Sequence, residues 1–309
     1  MLKIALVVNL IFSTCLAHAD EFADVCSDFL NSKRVLSAEI KTETLKYHYV
    51  FVSGFLGEHA VTYWSDNKKF LKSLGLPKNR ISVMHLPSTN TTVANSILLR
   101  EELAKLKTDA KIMLIGHSKG AVEAFLFALE NQDFVNKRIQ SIILIQGPFG
   151  GSPVADAFYK EEFPLDSILP LHTRIALKVQ FYFHLIYMSS FKDGLKSLTT
   201  NYARELWAAK KEKLSGIKRE LVNKIFFMTS SKRYDKMSLI VSDAGRWLSA
   251  YHGDNDGLVL VKDQSLALPG QRLAYIGGAD HTDLVVSLGS SEDRHFRIAW
   301  MSALLTSVL

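Results

Sequence analysis

The sequence predicts an α/β fold in which a mostly parallel β-sheet is covered by helices on both faces. Short apolar stretches rich in β-branched and aromatic residues alternate along the chain with segments whose apolar residues recur at helical spacing. A chain of 309 residues, 48% of them hydrophobic, is long enough and apolar enough to bury a sizeable core. Together these observations favour one domain built around a single sheet.

Six short apolar stretches are predicted to be the strands of this sheet. They are Tyr47–Val52, Ile81–Leu86, Lys111–Ile115, Ile139–Gln146, Lys224–Thr229 and Gln271–Ile276. Other segments are predicted to be helices, either from their apolar spacing or from a glycine C-cap. They are a segment that ends at Leu74 before Gly75, Asn95–Lys107, Ala121–Leu129 and Arg297–Leu309.

The alternation of strand and helix stops after Ser152. From Ala155 to about Asn223 the chain is helical in character without a strong strand, which predicts a helical cap inserted into a single domain over residues 20–309. Within this insertion, residues 175–188 are unusually apolar and aromatic. One interpretation is a helix packed on the core. The other is a lid whose apolar face contacts an acyl chain or a lipid interface.

The N-terminus has the pattern of a secretory signal peptide over residues 1–19. Lys3 supplies one positive charge, residues 4–12 form a short apolar core, and Ala-His-Ala over residues 17–19 is an A-x-A cleavage site. We expect cleavage after Ala19 and a secreted or periplasmic protein. The alternative is an uncleaved membrane anchor, for which the apolar core is short.

Charge and cysteine content argue against nucleic-acid binding and against a disulfide scaffold. The formal net charge is +6, and the basic clusters contain acidic residues, as is typical of a solvated helix face; weak contact with an anionic membrane is the alternative. No nucleic-acid motif is present, so no nucleic-acid partner is expected.

Removal of residues 1–19 would take away Lys3 and Cys15, lowering the charge to +5 and leaving Cys26 without an intramolecular disulfide partner. No base lies near Cys26 in the sequence to make it a nucleophile.

The run Gly116-His117-Ser118-Lys119-Gly120 follows a predicted strand and precedes a predicted helix. A serine at the apex of a sharp turn between strand and helix, with glycine two residues to either side, is the pattern of a nucleophile elbow. The turn lifts the serine hydroxyl clear of the sheet, and side chains in place of the glycines would collide with the neighbouring strand and helix. The serine is therefore the candidate nucleophile for attack on a carbonyl carbon.

A serine hydroxyl needs a histidine to accept its proton, and the histidine needs a carboxylate to orient it. With an elbow of this kind the order along the chain is serine, acid, histidine. Asp256, in the tight turn of residues 253–259, is the candidate acid, and His281, just after the last predicted strand, is the candidate base. The alternatives for the acid are Asp254, Asp235 and Asp243, and the alternative for the base is His295. Among the other histidines, His252 precedes the acid, and four are expected to be structural: His48, His85, His172 and His184.

The oxyanion formed during acyl transfer needs backbone N–H donors. Lys119, the residue after the nucleophile, is expected to supply one. The loop after the first predicted strand, Ser53-Gly54-Phe55, is expected to supply the second from the N–H of Phe55, with the glycine allowing a close approach of the backbone. The alternative for this loop is an ordinary turn.

These motifs together resemble those of the bacterial triacylglycerol lipases of the α/β-hydrolase superfamily. The matching segments are Gly54-Phe55-Leu56-Gly57, Gly116–Gly120, Gly151-Ser152-Pro153-Val154-Ala155-Asp156, Ser197-Leu198-Thr199-Thr200, Asn255-Asp256-Gly257-Leu258-Val259 and His281-Thr282-Asp283. Two positions depart from the family pattern: Ser53 stands where a histidine is usual, and Lys119 where glutamine or methionine is common. Because the oxyanion donors are backbone groups, neither change removes them.

The resemblance implies an α/β-hydrolase fold with an inserted cap and a secreted serine carboxylic ester hydrolase, most specifically a lipase that acts on fatty-acyl esters. The alternatives are a phospholipase, thioesterase or acyltransferase on the same three residues, or a non-catalytic lipid-binding protein. No cofactor is expected to take part in the chemistry. Family members often bind a structural Ca²⁺; Asp283 fits one ligand position, with Asp235 or Asp243 as the second, and the metal is left open.

Overall fold

A six-stranded sheet runs through the computed structural model, which describes residues 21–160, 191–287 and 290–309. The strand order is β2-β1-β3-β4-β5-β6, and every neighbouring pair is parallel. The strands are β1 His48–Val52, β2 Ile81–Met84, β3 Ile112–His117, β4 Ile139–Ile145, β5 Ile225–Ser231 and β6 Arg272–Gly277. All six predicted strands are confirmed, with small differences at their ends. The predicted signal peptide, the apolar segment 175–188, His172 and His184 lie outside the described residues.

Helices connect the strands and cover both faces of the sheet. They are α1 over residues 21–30, α2 Ala38–Thr44, α3 Ser65–Ser73, α4 Thr92–Lys105, α5 Lys119–Glu130, α6 Gln132–Arg138, α7 Pro153–Lys160, α8 Lys192–Lys196, α9 Thr200–Ala209, α10 Lys211–Ser215, α11 Arg219–Val222, α12 Ser242–Tyr251 and α13 Ser291–Val308. None of the helices in the described ranges is both long and apolar enough to cross a membrane.

Two apolar clusters lie on opposite faces of the sheet because successive strand residues point to opposite sides. In β1, Tyr49 and Phe51 pack with residues of α3 and α13, whereas Val50 and Val52 pack with residues of α4 and α5. All four side chains are fully buried. Burial on both faces explains why the central strands β1, β3 and β4 are nearly continuous apolar runs rather than alternating ones.

Two helices begin earlier than predicted. The closing helix begins at Ser291 rather than Arg297, and the helix predicted over residues 95–107 is Thr92–Lys105. Each has a side-chain N-cap: Ser290 Oγ accepts from the Asp293 N–H, and Thr91 Oγ1 accepts from the Ala94 N–H. The first turn of the closing helix is polar, so apolar spacing alone does not detect it.

The described part of the chain between β4 and β5 is helical, and it divides into two groups. Leu206, Trp207 and Leu221, on α9 and α11, pack with Phe125 and other residues on one face of the sheet. They belong to the layer of helices that covers the sheet, although the sequence analysis placed them in the cap. By contrast, α7 and α8 pack against the loop after β1, where Phe55 contacts their apolar residues.

Candidate active site

The chain makes a strained turn between β3 and α5, with Ser118 at its apex. Ser118 has φ 55° and ψ −127°, a conformation that residues with a side chain rarely adopt. Its N–H donates to the Ile145 carbonyl oxygen at 2.9 Å, which holds the apex against the end of β4. The turn presents the serine side chain at the carboxyl edge of the parallel sheet, the edge where ligands bind in folds of this class.

The two glycines of the elbow are required by close backbone contacts. A Cβ at Gly116 would lie 2.5 Å from the Gly120 carbonyl oxygen, and a Cβ at Gly120 would lie 2.6 Å from the carbonyl oxygen of Ser53. Both obstructing atoms belong to the backbone and cannot rotate away. The expectation that side chains here collide with the neighbouring strand and helix is confirmed.

The structure brings Ser118, His281 and Asp256 into a hydrogen-bonded line. His281 Nε2 lies 2.9 Å from Ser118 Oγ, and His281 Nδ1 lies 2.8 Å from Asp256 Oδ2. Because an ionised carboxylate only accepts, Nδ1 carries the proton, and Nε2 is then free to accept the Ser118 proton. This is the arrangement that activates a serine as a nucleophile. Ser118 and His281 are 163 residues apart in the sequence, and Asp256 and His281 are 25 apart, yet their side chains are in direct contact.

Asp256 is fully buried and accepts hydrogen bonds on both carboxylate oxygens. Oδ1 accepts from the backbone N–H groups of Leu258 and Val259 at 2.9 and 2.8 Å. Oδ2 accepts from Gln264 Nε2 at 3.1 Å in addition to His281. Several N–H donors stabilise a buried carboxylate in its charged form and fix its orientation.

Gln264 belongs to the candidate site and is not predicted from the sequence. It is fully buried, its Nε2 bonds to Asp256 and to the Ser230 carbonyl oxygen, and its Oε1 accepts the Ser230 N–H. It therefore fixes the acid against β5. No motif surrounds it, and its role is visible only from contacts between distant segments.

The alternative acids and bases lie elsewhere. Asp254 and Asp235 are exposed, and Asp235 pairs with Arg233. Asp243 is in the first turn of α12. His295 Nε2 bonds to the Leu30 carbonyl oxygen, and His252 is exposed with its ring against Trp247. His48 and His85 bond to Ser82 and Ser53, respectively.

The two predicted oxyanion donors lie on either side of Ser118. Lys119 is the first residue of α5, where backbone N–H groups have no partner within the helix. Gly54 is close enough to the nucleophile that a Cβ on it would lie 2.7 Å from Ser118 Cβ, which places the start of the Phe55 loop beside the serine. Leu56, the next residue, bonds through its N–H to Ser88 Oγ at 2.6 Å. Within the described ranges, neither the Phe55 nor the Lys119 N–H has an intramolecular acceptor.

The side chain of Lys119 forms a buried ion pair beneath the elbow. Lys119 Nζ lies 2.5 Å from Glu123 Oε1, and the two residues are 2% and 1% exposed. Asn95 Nδ2 donates to the same carboxylate oxygen at 2.7 Å. Burial raises the pKa of Glu123, and the Lys119 charge opposes this by lowering it. The sequence predicts a role only for the Lys119 backbone; the buried pair is not predicted, although its i, i+4 spacing is visible in the sequence.

Replacing Glu123 with alanine should lower the free energy of unfolding by about 3–5 kcal/mol, because it leaves the buried Lys119 ammonium without its partner. The double variant Lys119→Met/Glu123→Leu should lie much closer to wild type, since no buried charge then remains. Urea unfolding followed by circular dichroism measures both. Glu102→Ala, which breaks an exposed i, i+3 pair with Lys105, is the control and should change little. A Glu123→Ala variant as stable as this control would contradict the prediction.

An apolar cavity of about 390 Å³ adjoins Ser118 and His281. Its wall is formed mainly by apolar side chains, among them Phe55, Val154, Phe158, Leu198, Ile240 and Leu258. A cavity of this size and lining accommodates a hydrocarbon group better than a polar one. A larger cavity, of about 690 Å³, is lined by residues of α10, α11 and the loop before β6 and contains none of the three aligned residues.

The segment Gly151–Asp156, one of those that carry the resemblance, holds the cavity wall together. Ser152 Oγ donates to the Leu258 carbonyl oxygen at 2.6 Å, which ties α7 to the Asp256 turn. Asp156 accepts from the N–H and the hydroxyl of Thr200 at 2.9 and 2.6 Å. The matched segments 151–156 and 197–200 therefore contact each other and position the wall of the cavity.

The residues considered for calcium do not fit that ion. Asp283 Oδ2 lies 2.7 Å from Lys232 Nζ, which also lies 3.6 Å from Asp280 Oδ2. Burial, and then the neighbouring Asp280 charge, raise the pKa of Asp283. Calcium needs six to eight oxygen ligands, and the described ranges contain no cluster of three or more histidine, cysteine or acidic residues able to hold a metal. The Lys232 ammonium supplies the positive charge at this position.

Comparisons with known proteins identify the fold. The chain is similar to the metagenomic carboxyl esterase MGS0156, with 21% identity and a TM-score of 0.62 over 86% of this chain and 76% of that one. It is also similar to the mature form of Bacillus licheniformis lipase BlEst2, with 18% identity and a TM-score of 0.53 over 77% of this chain and 85% of that one. The predicted α/β-hydrolase fold is confirmed.

The sequence comparisons cover a smaller part of the chain than the structural ones. The model of the lecithin:cholesterol acyltransferase family matches residues 94–187, which include the elbow. A search of curated proteins finds no match.

Proposed function

We propose that this α/β-hydrolase-fold protein is a serine carboxylic ester hydrolase that cleaves fatty-acyl esters, which makes it a lipase. The observation that carries the proposal is the line of hydrogen bonds from Ser118 through His281 to Asp256, which opens on an apolar cavity. The similarity to a carboxyl esterase and a lipase supports it at the level of the fold. A non-catalytic lipid-binding protein has no need of the three-residue alignment.

In the proposed acylation step, Ser118 Oγ attacks the acyl carbonyl carbon while His281 Nε2 accepts its proton. Asp256 stabilises the imidazolium that forms. The Phe55 and Lys119 N–H groups donate to the oxyanion, whose charge develops next to the positive end of α5. When the tetrahedral intermediate collapses, the bond to the alkoxy oxygen breaks, and His281 returns the proton to the leaving alcohol.

In the deacylation step a water molecule replaces the alcohol and attacks the acyl-enzyme on Ser118. His281 removes the proton from this water, and the same N–H groups stabilise the second oxyanion. The carboxylic acid leaves when Ser118 Oγ is reprotonated.

The apolar cavity wall supports a long acyl chain as the preferred substrate group, because each buried methylene contributes about 0.8 kcal/mol of favourable transfer free energy. The apolar segment 175–188 would add contact with lipid if it acts as a lid. The pattern of residues 1–19 supports export to the periplasm or the medium.

Hydrolysis of p-nitrophenyl esters with short and long acyl chains tests the proposal. The wild-type protein should release p-nitrophenol, with a higher kcat/KM for long chains than for acetate. The Ser118→Ala variant, purified in the same way, reports any contaminating activity. Folded wild-type protein that turns over none of these esters would refute the proposed function.

Acyl transfer is the second candidate function, favoured by the match to the lecithin:cholesterol acyltransferase family model over the elbow. In that reaction an acceptor alcohol takes the place of water in deacylation. Incubation with a phospholipid and a sterol or long-chain alcohol separates the two functions. An acyl ester product at the expense of free fatty acid would favour the transferase, and free fatty acid alone would favour the hydrolase.

Removal of calcium should leave ester hydrolysis unchanged, because Lys232 already pairs with the Asp280 and Asp283 carboxylates behind His281. Activity is measured after dialysis against EDTA and again after calcium is added back. The expected rates agree within experimental error. A loss of activity in EDTA that added calcium restores would contradict the conclusion that these carboxylates pair with Lys232 rather than bind a metal.

A further inference from the structure

A chain of buried hydrogen bonds links three loops around the candidate active site. The Gly54 N–H donates to Tyr63 Oη at 3.0 Å, and the Tyr63 hydroxyl donates to His117 Nδ1 at 2.5 Å. His117 Nε2 donates to Gln146 Oε1 at 2.9 Å. Gln146 Nε2 then donates to the Asp280 carbonyl oxygen at 3.0 Å. We call this the Tyr63–His117–Gln146 chain.

The direction of every bond in the chain is fixed. Gln146 Nε2 uses both hydrogens, on Ser230 Oγ and on the Asp280 carbonyl oxygen, so Oε1 faces His117. His117 Nε2 must therefore carry the proton, and Nδ1 accepts the Tyr63 hydroxyl. Burial, and then the electrostatic influence of the neighbouring His281 ring, lower the pKa of His117 well below its usual value, which keeps the His117 ring neutral. The three side chains are at most 7% exposed.

The chain includes three residues that each precede a proposed reacting group. Two of them lie at its ends and one in its middle. Gly54 precedes the oxyanion donor Phe55, and Asp280 precedes the base His281. His117 precedes the nucleophile Ser118, and its ring centroid lies 4.7 Å from that of His281. One polar chain thus sets the relative positions of the donor, the nucleophile and the base without bonding to their reacting atoms.

Gln146 itself is held in an unusual backbone conformation. It follows the last residue of β4 and has φ 49°, in the left-handed region that residues other than glycine seldom adopt. Its N–H donates to the Met228 carbonyl oxygen at 2.8 Å. A fully buried residue kept in this conformation, with every polar atom of its side chain bonded, indicates that the orientation of its amide matters.

We propose that Tyr63 is a positioning residue whose hydroxyl sets the oxyanion loop against the nucleophile and the base through Gly54 and His117. This inference rests on the proposed function. In the tetrahedral intermediate the Phe55 N–H must meet the oxyanion while His281 remains on the Ser118 side chain. Loss of the Tyr63 hydroxyl frees Gly54 and leaves His117 Nδ1 without its donor. The position of the Phe55 N–H is then no longer coupled to the position of His281 on Ser118.

The Tyr63→Phe variant tests the inference, because it removes one oxygen atom and keeps the ring. We expect kcat for ester hydrolysis to fall by about tenfold to a hundredfold, the range that a small misplacement of reacting groups produces. KM should stay within about twofold, since the acyl chain still occupies the same apolar cavity. The affinity for an alkyl boronic acid, which forms a tetrahedral adduct with the serine, should fall by a factor similar to that for kcat.

Tyr47→Phe is the matched control. The Tyr47 hydroxyl donates to Glu43 Oε1 at 2.6 Å beside the opposite end of β1, so the variant loses one tyrosine hydrogen bond away from the site. Its kcat, KM and boronic acid affinity should equal those of wild type. Rates are measured well below the melting temperature of every variant, which separates positioning from global stability.

Gln146→Met breaks the same chain from its other end and provides a second test if Tyr63→Phe does not fold. It should also lower kcat at nearly constant KM. In the double variant the loss of kcat should be smaller than the product of the two single losses, because both changes interrupt one chain. Wild-type kcat and boronic acid affinity in either folded single variant would overturn the inference while leaving the proposed function intact. Absence of ester hydrolysis by the wild-type protein would instead refute the proposed function.

Discussion

Replacing Ser118 with alanine should lower kcat for ester hydrolysis by about a million-fold, the effect typical of removing the nucleophile of such an enzyme. The variant keeps the strained turn and the hydrogen bond from the residue 118 N–H to Ile145, so the fold should be retained. Without Oγ there is no atom to form the acyl-enzyme. Only the slow attack of water assisted by the oxyanion donors remains.

The rate is measured with a long-chain p-nitrophenyl ester at saturating concentration. Ser96→Ala is the matched control: Ser96 is a buried serine whose hydroxyl bonds to Val93 within α4. Its kcat should match that of wild type. A Ser118→Ala variant that retains more than about a thousandth of the wild-type kcat would show that another group is the nucleophile.

Replacing Asp256 with asparagine should lower kcat about ten-thousandfold at neutral pH. Because Oδ1 accepts two backbone N–H groups, the amide oxygen would keep that position and the amide NH₂ would face His281. The NH₂ donates to Nδ1, which moves the imidazole proton to Nε2. A protonated Nε2 cannot accept the Ser118 proton, so the base is in the wrong tautomer.

Asp254→Asn is the control for this change and also tests the alternative acid. Asp254 is exposed and lies two residues before Asp256, so its carboxylate should have no part in catalysis. Its kcat should remain at the wild-type value. If Asp254→Asn instead caused the larger loss of kcat, the assignment of the acid to Asp256 would be wrong.

The features that could be predicted from the sequence are those set by local rules. The central strands β1, β3 and β4 are buried on both faces, so they appear as nearly continuous apolar runs. The elbow is equally local: Gly116 and Gly120 are required by contacts with neighbouring backbone, and a fixed spacing results. Asp256 lies in a short turn motif after α12 and His281 in one after β6, and the fixed order of serine, acid and histidine connects them to Ser118.

The residues that support the site could not be predicted in this way. Tyr63, Gln146 and Gln264 act through contacts with segments distant in sequence, and no local motif marks them. Lys119 and Glu123 have the spacing of an ordinary exposed helical pair; only the packing of α5 against the sheet makes the pair buried. Lys232 pairs with Asp283, a residue considered as a calcium ligand, across 51 residues of sequence. Tertiary contacts rather than local propensity determine all of these roles.

Identification of the covalent intermediate on Ser118 tests the central claim most directly. The wild-type protein is mixed with a long-chain p-nitrophenyl ester, quenched with acid during the first turnovers, digested and analysed by tandem mass spectrometry. The account predicts an increase equal to the mass of the acyl group on the peptide that contains Ser118, localised to that serine and absent from Ser118→Ala. An acyl group on another residue, or steady turnover with no adduct on Ser118, would contradict it.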